Sequence, residues 1–117
     1  MESESLKMAR TFLGKKVTVK IDRPLGSKHP KHNFTYEANY GFVPETIAPD
    51  GDDLDVYYLG IEKAIDVAEG ICIAIVHRKD DDDDNLIVVP EGTQLTDEEI
   101  MKKVHFQEQW FDSKIIR

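Results

Sequence analysis

One cysteine, Cys72, in 117 residues leaves no partner for an internal disulfide, so the fold must be held by its core. Long apolar runs are also missing. The longest, Ile71 to Val76, is far short of the ~20 residues that span a bilayer and fits a buried strand. The opening Met1-Glu2-Ser3-Glu4-Ser5 is acidic and has neither the basic nor the apolar part of a secretory signal. These absences predict a cytoplasmic protein with no membrane association. Nothing in the chain is a Pro/Gly/Ser-rich linker or an internal repeat, so residues 1–117 are expected to form a single domain. Basic charge is scarce too: 15 Lys and Arg stand against 23 Asp and Glu, a net charge of −8. Such a surface repels nucleic acid, which is excluded as the expected partner.

The acidity that is present is local. Asp50, Asp52, Asp53 and Asp55 form one cluster and Asp80 through Asp84 a second, and together they carry more than the whole net charge. The segment from Lys15 to Lys31 holds six cations against Asp22 alone. Leu6, Ala9 and Leu13 predict a short helix over 4–13, stopped at Gly14. Val17, Val19 and Ile21 alternate with polar residues as in a strand with one wet face. Pro24, Gly26 and Pro30 make 23–33 a loop, and 36–47 reads as extended structure interrupted at Pro44. Further strands are expected at 54–60, 71–78 and 86–89. Thr96 and Glu99 form a capping box that opens a helix over 96–109. His105 and Trp110 read as helix residues at a core margin. Five short strands with a flanking helix predict a mainly β, α+β domain or small barrel.

Asp50-Gly51-Asp52-Asp53-Leu54-Asp55 sets carboxylates in a turn and at the head of a strand. Carboxylates crowded there raise one another's pKa unless a cation neutralises them, and a hard divalent ion (Mg²⁺, Mn²⁺ or Ca²⁺) is the natural partner. The alternative is a solvated acidic turn. The Asp80–Asp84 run is either a solvated hairpin tip or a ligand loop. Asp80, Asp82, Asp84 and Glu91 have the spacing of an EF-hand, but Asn85 stands in place of its turn glycine and Pro90 interrupts it. His29, His32, His77 and His105 lack the spacing of a zinc site.

Asn39-Tyr40-Gly41-Phe42-Val43, followed by the Asp-x-Asp-x-x-Asp set Asp50, Asp52 and Asp55 and by the acidic hairpin before Pro90, resembles the family I soluble inorganic pyrophosphatases. The likeness covers roughly residues 16–90 of a chain shorter than typical members. It implies a small closed five-stranded barrel of OB type. It also implies Mg²⁺-dependent hydrolysis of inorganic pyrophosphate, or a related small phosphoanhydride, by a metal-activated water, with Mn²⁺ as a substitute ion. By position, Asp52 is the implied general base. Asp50, Asp55, Asp80, Asp83 and Asp22 are the implied metal ligands, and Tyr40 and Tyr36 the phosphate-side tyrosines. Members of the family associate, so a homo-oligomer is expected.

The phosphate side departs from the pattern. Lys28 stands near a family arginine, Asn85 replaces a lysine, and Trp110-Phe111 replaces a Tyr-Lys pair. Lys28, in a loop that also holds His29 and His32, and Arg78 beside the hairpin are the candidate replacements; Arg78 could equally pair with the hairpin itself. These losses keep a second reading open, a non-catalytic or altered-substrate module that binds metal and phosphate. A third is an acidic interaction domain without metal dependence.

Overall fold

The alternation that predicts the first strand works as a barrel wall. In a computed structural model describing residues 4–44, 53–79 and 84–117, β1 (Lys16–Arg23) buries Val17, Val19 and Ile21 and exposes Lys16, Thr18 and Lys20. The remaining elements are α1 (Glu4–Arg10), β2 (Asn39–Phe42), β3 (Asp55–Tyr58), β4 (Val67–Arg78), β5 (Asp84–Val89), α2 (Asp97–Glu108) and β6 (Ser113–Ile116). The strands run in the order β1-β2-β3-β5-β4, and β4 pairs back onto β1, so five strands close into a barrel as expected. Among the described residues, only the β3–β5 pair is parallel.

Strand β4 serves two neighbours along one edge. Its first half, from Val67 to Ile71, pairs with β1; its second, from Ile75 to Arg78, pairs with β6. A register shift between Cys72 and Ala74 on its pairing with β5 separates the halves. Strand β5 is buried at all six positions because both of its faces are covered. Leu86 and Val88 join Val17, Val19, Val56 and Tyr58 inside the barrel, with Leu6 and Ala9 of α1 closing over them. Ile87 and Val89 face outward with Tyr57 and Val76 against Ile100, Val104 and Phe106 of α2. Cys72 is fully buried in the inner core, and that burial pushes its thiol up to about 11.

Some boundaries differ from the sequence reading. The first helix ends at Arg10, and residues 11–13 continue in i→i−3 turns before Gly14, at φ +79°, donates its N–H to the Cys72 carbonyl. The long strand begins at Val67 rather than at 71, because β1 supplies hydrogen-bond partners that early. The last strand, β6, was not anticipated. The capping box at Thr96 is as expected: Glu99 N–H donates to Thr96 Oγ1 at 3.1 Å, and Thr96 N–H to Glu99 Oε1 at 2.9 Å.

The Asn39-Tyr40-Gly41 segment divides its labour. Asn39 is fully buried; its Oδ1 accepts from Leu25 N–H at 2.9 Å and its Nδ2 donates to the Lys63 carbonyl at 2.9 Å, tying two loops to β2. Gly41 lies opposite Ile21 so closely that a Cβ would stand 2.8 Å from the Ile21 Cα. Tyr40 is left to point into the region described next.

Candidate active site

Asp55 opens β3, and there it pairs in register with Asn85 of β5 and with Phe42 of β2. Strand alternation puts Asp55 and Asn85 on the outer face of the barrel together with Tyr57. Tyr40 packs on Tyr57 with ring centroids 4.8 Å apart and donates its hydroxyl to Asn85 Oδ1 at 2.9 Å. Tyr36 stacks on Tyr40 at 5.7 Å. Burial raises the Tyr36 pKa, and the carboxylates of Asp22 and Asp55 raise it further, while the nearby Arg23 guanidinium works the other way. Asp22, exposed at the register shift of β1, and Asp55 thus bear on one tyrosine, together with Arg23, the first cation of the basic 23–33 segment.

Asp50, Asp52, Asp80 and Asp83 lie outside the described residues. Two buried polar atoms stand where the acidic segment rejoins the barrel. Asp84 Oδ2 and Asn85 Nδ2 have no hydrogen-bond partner among the described residues. Asp84 is fully buried, and its other oxygen is held 2.6 Å from His77 Nδ1. It belongs to strand β5, which removes it from the EF-hand spacing considered above. Unpartnered carboxylate oxygen beside a run of aspartates is hard-donor chemistry that fits Mg²⁺. Among the described residues, no three His, Cys, Asp or Glu side chains converge on one point.

Beside these carboxylates lies a cleft of about 620 Å³. The loop before β2 supplies one wall through His29, Phe34 and Tyr36; the segment after α2 supplies the other through Trp110 and Phe111, with Arg78 at the base. Arg78 is a candidate substrate contact from the sequence, and among the described residues its side chain is held by Glu108 of α2. Its Nε and Nη2 donate to Glu108 Oε1 and Oε2 at 3.1 and 2.7 Å, and its guanidinium lies 3.8 Å over the Phe111 ring. Glu108 also accepts from Tyr57 at 2.6 Å and from Ser113 at 2.7 Å, and Gln107 donates to the Tyr57 hydroxyl at 2.7 Å. Burial alone favours the neutral carboxyl of Glu108, but the Arg78 charge and hydrogen bonds outweigh it and hold the pKa below the usual carboxylate range. Burial, then Glu108, raises the Tyr57 pKa well above its ordinary value.

Lys28 pairs with Thr35 in an isolated bridge and is exposed, outside the cleft lining. His29 Nδ1 accepts from the backbone N–H groups of Lys31 and His32 at 3.0 and 3.1 Å, which fixes the ring. Trp110 is not a core-margin helix residue: α2 ends at Glu108, and Trp110 is 59% exposed at the rim of the cleft, 5.2 Å from Phe34. His105 is exposed on α2. Spacing gave no sign of the Arg78–Glu108 pair; the aromatic content of the 29–36 loop was the available signal for the cleft.

A family model described as inorganic pyrophosphatase matches residues 12–114. The chain is 33% identical over 81 residues to an inorganic pyrophosphatase of Saccharolobus solfataricus, an alignment covering 68% of this chain and 44% of that protein. The chain therefore spans less than half of that relative's length. Among solved structures it is similar to the inorganic pyrophosphatase of Ehrlichia chaffeensis (TM-score 0.67, 19% identity, 86% of this chain and 84% of that one). It is also similar to that of Helicobacter pylori (TM-score 0.63, 21% identity, 86% and 81%). At such identities the structural likeness speaks for the fold. Among the described residues, no helix is long and apolar enough to cross a membrane.

Proposed function

Because the chain belongs to the inorganic pyrophosphatase family, we propose that it hydrolyses inorganic pyrophosphate to two phosphates in a Mg²⁺-dependent reaction, with Mn²⁺ as a substitute. The observation that carries this reading is the meeting of Asp55, Asn85, Tyr40 and Tyr36 on one barrel face, below the points where both acidic segments join the strands. Asp50, Asp55, Asp80 and Asp83, with Asp22 beside Tyr36, are the oxygen donors we assign to the metal. When bound, Mg²⁺ neutralises diphosphate charge and lowers the pKa of water towards neutrality.

The chain's own groups then have separable tasks. Asp52 accepts the proton of the attacking water. Tyr36 and Tyr40 orient the phosphate side, Tyr40 held by Asn85 and Tyr36 stacked on Tyr40. Two nitrogens of Arg78 are engaged by Glu108, so Arg78 shapes the wall more than it adds net charge. Lys28 supplies long-range attraction from the loop. We place the protein in the cytoplasm, in keeping with its single buried cysteine.

The test is phosphate release from pyrophosphate with Mg²⁺, Mn²⁺ or EDTA, in the wild type and in Asp52→Asn. Metal-dependent release that Asp52→Asn lowers at least about a hundredfold supports the assignment. Absence of release from a folded, Mg²⁺-binding protein refutes it, and the altered-substrate reading then replaces it.

A further inference from the structure

Inorganic pyrophosphate has no carbon atom and nothing to stack, yet the cleft beside the carboxylates is walled by aromatic rings. Its volume of about 620 Å³ lies in the range of pockets that enclose whole organic ligands. We propose that this cleft binds the base of a nucleoside diphosphate or triphosphate, whose phosphate tail reaches the Asp55 side, so that the protein acts on nucleoside polyphosphates. The proposal rests on the reading of the carboxylate face as a phosphoanhydride hydrolase site.

Three observations support it. Trp110 is 59% exposed at the rim, although a large indole is normally packed. Phe34 braces it from within the cleft at 5.2 Å, leaving an aromatic face for a planar ring. Second, the cleft is continuous with the carboxylates: Tyr36 and Tyr40 line it, Tyr40 is bonded to Asn85, and Asn85 is the register partner of Asp55. Third, the loop forming its wall is basic. Arg23, Lys31 and His32 lie close enough to depress the His29 pKa, after burial of that ring. The Arg23 and Lys31 cations next to that wall suit a polyphosphate tail. With Nδ1 accepting two backbone N–H groups, the neutral His29 ring carries its proton on Nε2 as a fixed donor.

For a nucleoside diphosphate, the water oxygen bonds to the terminal phosphorus as the bond from that phosphorus to the bridging oxygen breaks. The bridging oxygen leaves on the nucleoside monophosphate, phosphate is released, and the water proton passes through Asp52 to solvent.

Trp110 is the chain's single tryptophan, so its emission reports on this cleft directly. The intact protein with Mg²⁺ is titrated with ADP, GDP, CDP and inorganic pyrophosphate, by fluorescence and by calorimetry. Saturable quenching by at least one nucleotide, with affinity about tenfold or more above that of pyrophosphate, is expected. Trp110→Ala, at a 59% exposed position, and Phe34→Leu should each weaken calorimetric nucleotide binding about tenfold. Nucleotide affinity no better than that of pyrophosphate, or unaffected by Trp110→Ala, overturns the proposal. Binding is read without turnover, so the two readings fail separately. Pyrophosphate release without nucleotide binding sinks this one alone, and nucleotide binding without pyrophosphate release sinks only the pyrophosphatase assignment.

Discussion

Glu108→Gln is the most informative single change to the framework under the cleft. It keeps the shape of the side chain but removes the charge that faces Arg78, whose side chain is 7% exposed. In the wild type the carboxylate accepts from Arg78 Nε and Nη2, from Tyr57 Oη and from Ser113 Oγ, four donors on two oxygens. A glutamine amide offers one oxygen and turns an NH₂ group towards donors on its other side. Removing one partner of a buried ion pair costs about 3–5 kcal/mol, because the remaining charge is stranded. With a urea slope of about 1–2 kcal/mol/M for a chain of this size, the midpoint should fall by about 2 M. The Arg78→Met/Glu108→Leu double variant strands no charge and should recover most of the loss. The pH dependence carries a sign. The folded pKa of Glu108 is depressed, so its contribution is present above the unfolded carboxyl pKa and is lost as the pH falls through the folded value. Wild-type stability should therefore drop on acidification more steeply than that of Glu108→Gln. Urea titrations followed by circular dichroism at neutral and acidic pH measure all three quantities. A loss below about 1 kcal/mol for Glu108→Gln, or a double variant as unstable as the sum of its singles, would refute the idea that Arg78 depends on this partner.

Two further outcomes follow from packing. Gly41→Ala should abolish or severely weaken folding, since the new methyl would meet the Lys20 carbonyl and the Ile21 backbone, neither of which can rotate away; soluble yield and thermal midpoint are the readouts. Cys72, fully buried with its pKa pushed up to about 11, should resist a thiol-specific reagent at mildly alkaline pH and react only at the rate of unfolding, which urea would accelerate. Fast labelling of the native protein would contradict the burial.

The legible parts of the sequence were those governed by local periodicity or local pairing. Val17, Val19 and Ile21 announce a strand with one wet face, and Thr96 with Glu99 announces a helix start, because both signals are complete within a few residues. Barrel closure came instead from the likeness of Asn39-Tyr40-Gly41 and the aspartate set to a known family. The strand Ser113–Ile116 was missed because its existence depends on β4 extending past the end of β1, a fact no window around residue 114 contains. The Arg78–Glu108 pair joins residues thirty positions apart and follows no spacing rule. Five identical aspartates could not reveal which one turns inward. The register of Asp84 opposite His77 on β4, and the 2.6 Å contact between its Oδ1 and His77 Nδ1, fix its inward position.

The closed ring has a consequence for how the chain reaches it. Strands β4 and β5 are joined by residues 79–83 and can pair early, whereas Lys16 must find Ile71, 55 positions on, before the barrel shuts. Until then, the edge of β1 that meets β4 is open, and open edges are where strands recruit copies of themselves. Its outward positions are Lys16, Thr18 and Lys20. Charge at those positions disfavours self-pairing, so the alternation that gives the finished wall its wet face also guards the open edge before the ring is closed.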